Sequence, residues 1–155
     1  MPITDIRTLR ANLPPGQRLI GLDPGKRQIG VALSDTGLML ASPYATLKRD
    51  KLFVVAAEIG RIARKEGAAG LVIGLPLSMD GTAGPAAQAA RDWAHAMTEA
   101  TQLPVALWDE RLSSAAVNRF LIAEADLSRG KRADVVDRMA AAYILQSALD
   151  ASKSV

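Results

Sequence analysis

Two apolar runs, Arg18–Asp23 (RLIGLD) and Gln28–Asp35 (QIGVALSD), are separated by only Pro24, Gly25, Lys26 and Arg27. A parallel pair of strands needs a crossover of about a dozen residues or more. The two predicted strands therefore pair antiparallel across a tight turn. A second turn at Thr36-Gly37 returns the chain as a third strand, from Leu38 to about Lys48, bent at Pro43. The pattern then changes. Lys51–Glu66 has helical composition and stops before Gly67. Gly70–Leu75 is a short apolar strand. Pro85–Thr101 is an alanine-rich helix with proline where a missing N–H costs little. Val105–Trp108 reads as a further strand, Ser113–Glu124 as a helix that Ser113 can cap, and Ala133–Ala151 as the last helix. The order βββαβαβαα predicts an α/β domain over 18–151, with a mixed five-stranded sheet flanked by helices. Residues 1–17, with Pro14, Pro15 and Gly16, read as an arm or short helix ahead of it.

The 155 residues are 49% hydrophobic, enough for one domain with a real core and too apolar for disorder. Cysteine is absent, which excludes disulfides, thiolate zinc sites and cysteine nucleophiles. No run approaches the ~18 apolar residues of a membrane span, and the N-terminal stretch does not read as a signal peptide. The expected address is the cytoplasm. A net charge of +3 is a mild bias toward anionic partners.

The acids carry more information. Asp23 ends the first strand, and Asp109 and Glu110 end the last. If the later βα units run parallel to the first strand, these carboxyl ends share one sheet edge, where ligands bind in open α/β sheets. Asp137 falls in the first turns of the predicted final helix, with Asp134 three residues earlier on the same face. Ala140, Ala141, Ile144 and Ala148 follow Asp137 on its side of that helix, and small side chains allow close packing against a sheet. An acid on a packed face is costly to bury without a partner. A divalent ion shared with Asp23 and Glu110 supplies one, and clustered carboxylates suit Mg²⁺ or Mn²⁺. Two such ions activate a water and stabilise the leaving oxygen of a phosphodiester. That chemistry needs no histidine, and the single one, His95, sits inside a helix. Any one of these acids alone reads equally well as a ligand of turn amides or a partner of Arg27 or Arg111. Asp134 reads better as an exposed acid favoured by the helix dipole. Central strands are buried on both faces, so parity leaves Asp109 and Glu110 open. Glu110 is preferred for its reach and for the resemblance described below.

Each acid has basic neighbours in sequence: Lys26 and Arg27 after Asp23, Arg111 after Glu110, and Lys131 and Arg132 before Asp137. These are the candidate contacts to a nucleic-acid backbone. The loop Leu77–Gly84 precedes a helix N-terminus and reads equally as a phosphate-receiving loop or a plain connector. Aromatic residues are only 4% of the chain, so no base-stacking platform is expected, and Trp93 and Trp108 read as core.

Four segments together resemble the YqgF family of bacterial ribonuclease H-like proteins. They are GLDPGKRQIGVALSD (Gly21–Asp35), VIGLPLSMDGTAG (Val72–Gly84), DERLSS (Asp109–Ser114) and KRADVVDRMAAAYILQSALD (Lys131–Asp150). The resemblance runs from about Leu19 to Asp150. It implies a ribonuclease H-like fold and a metal-dependent nuclease that matures the 5′ end of 16S rRNA and acts on Holliday-junction DNA. It implies structured nucleic acid as partner, Mg²⁺ or Mn²⁺ as cofactor, and Asp23, Glu110 and Asp137 as both catalytic and metal-binding residues. In related resolvases the second acid follows an earlier strand. Here that position is Gly74-Leu75-Pro76, without an acid, and the DER segment stands in for it.

Other classes offer rival readings. GLDPGK is not a Walker A loop, because three residues rather than four separate its glycines and Arg27 follows the lysine. Actin-like ATPases share the strand order but close two such domains over ATP. The alternative is a catalytically silent nucleic-acid-binding or ribosome-assembly module whose acids only hold loops.

Overall fold

The computed structural model describes residues 3–76, 84–112 and 129–153, the side chains of 112 and 129–135 excepted. Among the described residues six strands form one sheet: β1 (Ile3–Thr4), β2 (Arg18–Pro24), β3 (Gln28–Ser34), β4 (Ala41–Lys48), β5 (Ala68–Leu75) and β6 (Val105–Asp109). Their spatial order is β1-β6-β5-β2-β3-β4. Strands β2, β3 and β4 are antiparallel neighbours, as the short turns require. Strand β5 runs parallel to β2 and β6 parallel to β5, so the carboxyl ends of β2, β5 and β6 share one edge.

Alternation along each strand sorts the core into two layers. Ile20, Leu22, Ile29, Val31, Leu71 and Ile73 face α2 (Leu52–Glu66) and α3 (Pro85–Thr101). Leu19, Ala32, Val72 and Ala106 face the other way, against α1 (Ile6–Asn12) and α4 (Arg129–Ala151). The caps follow local chemistry. The Asp5 carboxylate accepts the Thr8 backbone N–H at 2.8 Å to start α1, and Gly67 at φ +69° ends α2. Between β3 and β4 the Asp35 carboxylate accepts the Met39 and Leu40 amides at 2.7 and 3.0 Å.

Two expectations change. The sheet has six strands rather than five, because Ile3–Thr4 pairs in parallel with β6. Two residues are too few to show a period. Ile6 and Leu9 of the N-terminal arm are buried with α4. The last helix begins at Arg129 rather than near 133. Asp137 is thus more than two turns inside it, and Asp134 does not sit at its start. Only the apolar run marks this helix in the sequence, and the polar stretch at 129–132 extends it without adding to that run. The predicted helix 113–124 and most of the 77–84 loop lie outside the described residues. Among the described residues no helix is long and apolar enough to cross a membrane.

Candidate active site

The α4 face of the sheet is unusually poor in side chains where the helix crosses it. A Cβ built on Gly21 would lie 2.7 Å from the Leu145 Cβ and 3.1 Å from the Ala141 carbonyl oxygen. One built on Gly30 would lie 1.9 Å from the Asp137 carbonyl oxygen. Helix α4 therefore rests on β2 and β3 at backbone distance, and only glycine permits it. The alanines that follow Asp137 serve the same approach from the helix side: Ala140, Ala141 and Ala148 are all fully buried.

Asp23 lies two residues after Gly21 and so points to the same layer. Its register partner on β3 is Gly30. The turn of α4 that carries Asp137 is thereby laid against the strand pair at the level of Asp23. Asp23 is 3% exposed, a buried carboxylate at the carboxyl end of a central strand.

Glu110 reaches this layer by another route. It opens a short 3₁₀ turn, Glu110–Leu112, directly after β6. A Cβ on Gly74 would meet Glu110 Oε1 at 3.1 Å and the Ile144 Cδ1 at 2.7 Å. The Glu110 side chain thus occupies the space over Gly74 on the α4 side. Its neighbour Trp108 is on that side as well, donating its indole N–H to Ser147 of α4 at 3.0 Å. Asp109 alternates to the opposite layer. Its carboxylate is taken by Arg111, with Nη2 to Oδ2 at 2.6 Å and the Arg111 amide to Oδ1 at 2.9 Å. The Arg111 hydrogen bonds hold the Asp109 carboxyl below the usual carboxylate range, against the opposing effect of burial. Tertiary structure thus separates two adjacent acids that strand parity could not.

The donor set of Asp23, Glu110 and Asp137 is all carboxylate oxygen, which suits a hard divalent cation. Backbone placement brings the three to one edge and one layer. Among the described residues no three such groups are already gathered closely enough to ligate one ion together.

The predicted basic contacts divide. Lys26 and Arg27 are exposed on the turn that follows Asp23. Arg111 is engaged by Asp109, so its charge is largely spent locally. Lys131 and Arg132 lie in the first turns of α4, and their side chains are outside the described residues. Sequence reasoning missed Arg49. It follows β4, donates Nη1 to the Gly25 carbonyl at 2.7 Å, and lies 5.6 Å from the centre of the Trp93 ring. No motif marks it; only the turn-back of β4 beside the Asp23 loop brings it there.

Residues 17–151 match the model of the family described as RuvX: Holliday junction resolvase. A protein of Gluconacetobacter diazotrophicus named "Putative pre-16S rRNA nuclease" is 62% identical, over 98% of this chain and 99% of its own. One of the same name from Acidiphilium cryptum is 64% identical, over 97% of this chain and 94% of its own. Among solved structures, T. thermophilus RuvC in complex with Holliday junction substrate superposes with a TM-score of 0.54 at 12% identity. It covers 87% of this chain and 94% of its own, and establishes a shared ribonuclease H-like fold.

Proposed function

Because this chain belongs to the RuvX Holliday junction resolvase family, we propose that it is a divalent-metal-dependent nuclease that processes the 5′ end of the 16S rRNA precursor in the cytoplasm. Asp23, Glu110 and Asp137 are its metal-binding and catalytic carboxylates. The observation that carries this reading is the buried Asp23 carboxylate, which shares the α4 layer with Glu110 beside the helix turn of Asp137. A purely structural role does not account for three acids placed at one edge and one layer of the sheet, where glycines have removed competing side chains.

Bound Mg²⁺ or Mn²⁺ would supply Lewis-acid stabilisation of charge on the phosphodiester oxygens. The protein's own contribution is placement. Asp23 is fixed by its strand and cannot swing far. Glu110 approaches across Gly74, and Asp137 comes down from α4. Lys26 and Arg27, with Lys131 and Arg132, would hold the flanking phosphates. Arg111 acts by fixing Asp109 and the 3₁₀ turn that carries Glu110.

The test is cleavage of a precursor rRNA fragment beside a four-way DNA junction, with Mg²⁺ or Mn²⁺ and with chelator. Metal-dependent cleavage that is lost in Asp23→Asn, with folding and RNA binding retained, supports the reading. A wild-type chain that binds RNA and cuts neither substrate with either ion would leave a nucleic-acid-binding module instead.

A further inference from the structure

A second feature opens at the same sheet edge, on the opposite layer from the acids. Pro24 and Gly25 continue from Asp23, Pro76 continues from β5, and the first turns of α3 close the far side. Together they line a cleft of about 290 Å³. Its floor is apolar, with Pro76, Ala86 and Ala89 against the half-buried Trp93. Its rim is basic: Lys26 stands on the turn, and Arg49 lies over the Trp93 indole while anchored to the Gly25 carbonyl. The small side chains of Ala86, Ala89 and Ala90 on α3 line the cleft beside the half-buried indole.

An apolar trough with one aromatic wall and two cations at its mouth is complementary to a base carrying its phosphate. Its volume is near the lower end of ligand pockets, about 300 Å³, room for one base rather than a stack. A base inside a duplex is stacked on both faces and cannot enter. Resting on the nuclease reading above, we infer that this cleft seats one unpaired RNA nucleotide of the substrate strand, its base against Trp93 and its phosphate on Lys26 and Arg49. Pro24 follows Asp23 directly in the chain, so the seated nucleotide lies close to the strand that enters the carboxylate edge. The enzyme would thereby select substrates with an unpaired nucleotide beside the cut. A scarcity of aromatics does not argue against this, because a single base needs a single ring.

Ala89 and Ala86 are exposed on α3, so filling the cleft from either position leaves the core intact. In a Trp108→Phe background Trp93 is the sole indole reporter. With chelator present, a short single-stranded oligouridine should quench Trp93 saturably, and a blunt RNA duplex should not. Ala89→Glu should weaken oligouridine binding about tenfold or more, the size of one lost base–aromatic stack. Ala86→Glu, an independent obstruction, should do the same if Ala89→Glu melts early. Equal quenching by the duplex, or affinity unchanged in both variants, overturns the inference. So does free uridine monophosphate binding as well as the oligomer, which would make the cleft a mononucleotide site. Wild-type cleavage with Mn²⁺ is measured in parallel. Cleavage without Trp93 quenching removes this cleft alone, whereas neither binding nor cleavage removes the nuclease reading as well.

Discussion

The main-chain carbonyl of Asp137 occupies the space where a side chain on Gly30 would begin, 1.9 Å from a Cβ built there. Gly30 is also the cross-strand partner of Asp23. One missing side chain therefore sets how close two acids, 114 positions apart in the chain (137 − 23), can come.

This contact predicts that Gly30→Ala is costly out of proportion to one methyl group. The neighbour is backbone in a packed helix and cannot rotate away. Overpacking of this kind costs about 1–3 kcal/mol. Thermal melting should show that loss, and cleavage should fall further than melting accounts for, because α4 is pushed from Asp23. Gly74→Ala meets the ends of flexible side chains, Ile144 and Glu110, and should melt closer to wild type while still impairing cleavage.

Asp109 and Glu110 should separate cleanly on substitution. Glu110→Gln should reduce metal-dependent cleavage by more than the roughly 10–100-fold typical of changes to a metal ligand's supporting partners. Asp109→Asn loses the Arg111 ion pair but keeps the Oδ1 that accepts the Arg111 amide, so the turn that carries Glu110 is retained and most of the activity should remain. Single-turnover rates at saturating Mn²⁺ distinguish the two. Equal losses would mean that the division between the two layers does not govern function.

A cation bound by Asp23, Glu110 and Asp137 stabilises only the folded chain. Mn²⁺ at a hundred times its dissociation constant should add about 2.7 kcal/mol, visible as a rise in melting temperature. Asp23→Asn should abolish that rise. An unchanged rise in the variant would assign the ion to other residues.

The Asp35 carboxyl is held below its ordinary value of 3.8 by the Leu40 and Met39 amides, and Asp109 is lowered by Arg111. A lowered folded value means stability that is fully present above the ordinary carboxylate range. It is lost as pH falls through the lowered value. Melting temperature should therefore drop on acidification below about pH 4. In Asp35→Asn the amide oxygen still accepts from the turn but does not titrate. That variant should start less stable at neutral pH and show a shallower acid decline.

Much of the architecture was legible because it rests on local constraints. The gap from Pro24 to Arg27 was too short for anything but an antiparallel turn. The helical stretches between the later strands are long enough for parallel crossovers, and β2, β5 and β6 are parallel. The sequence alone also located the candidate acids, since strand-end position depends on local pattern. It did not show the sixth strand, because two residues carry no periodicity. Nor did it show where α4 starts, because a polar helical turn leaves no mark in an apolar pattern.

What tertiary structure alone decided is which side of the sheet each group occupies. Glu110 joins Asp23 on the α4 layer while Asp109 turns to Arg111, and Arg49 reaches Trp93 across the opposite layer. Sidedness within a doubly covered sheet depends on packing against helices distant in the chain. Apolar strands buried on both faces carry no hydropathy contrast that could announce it.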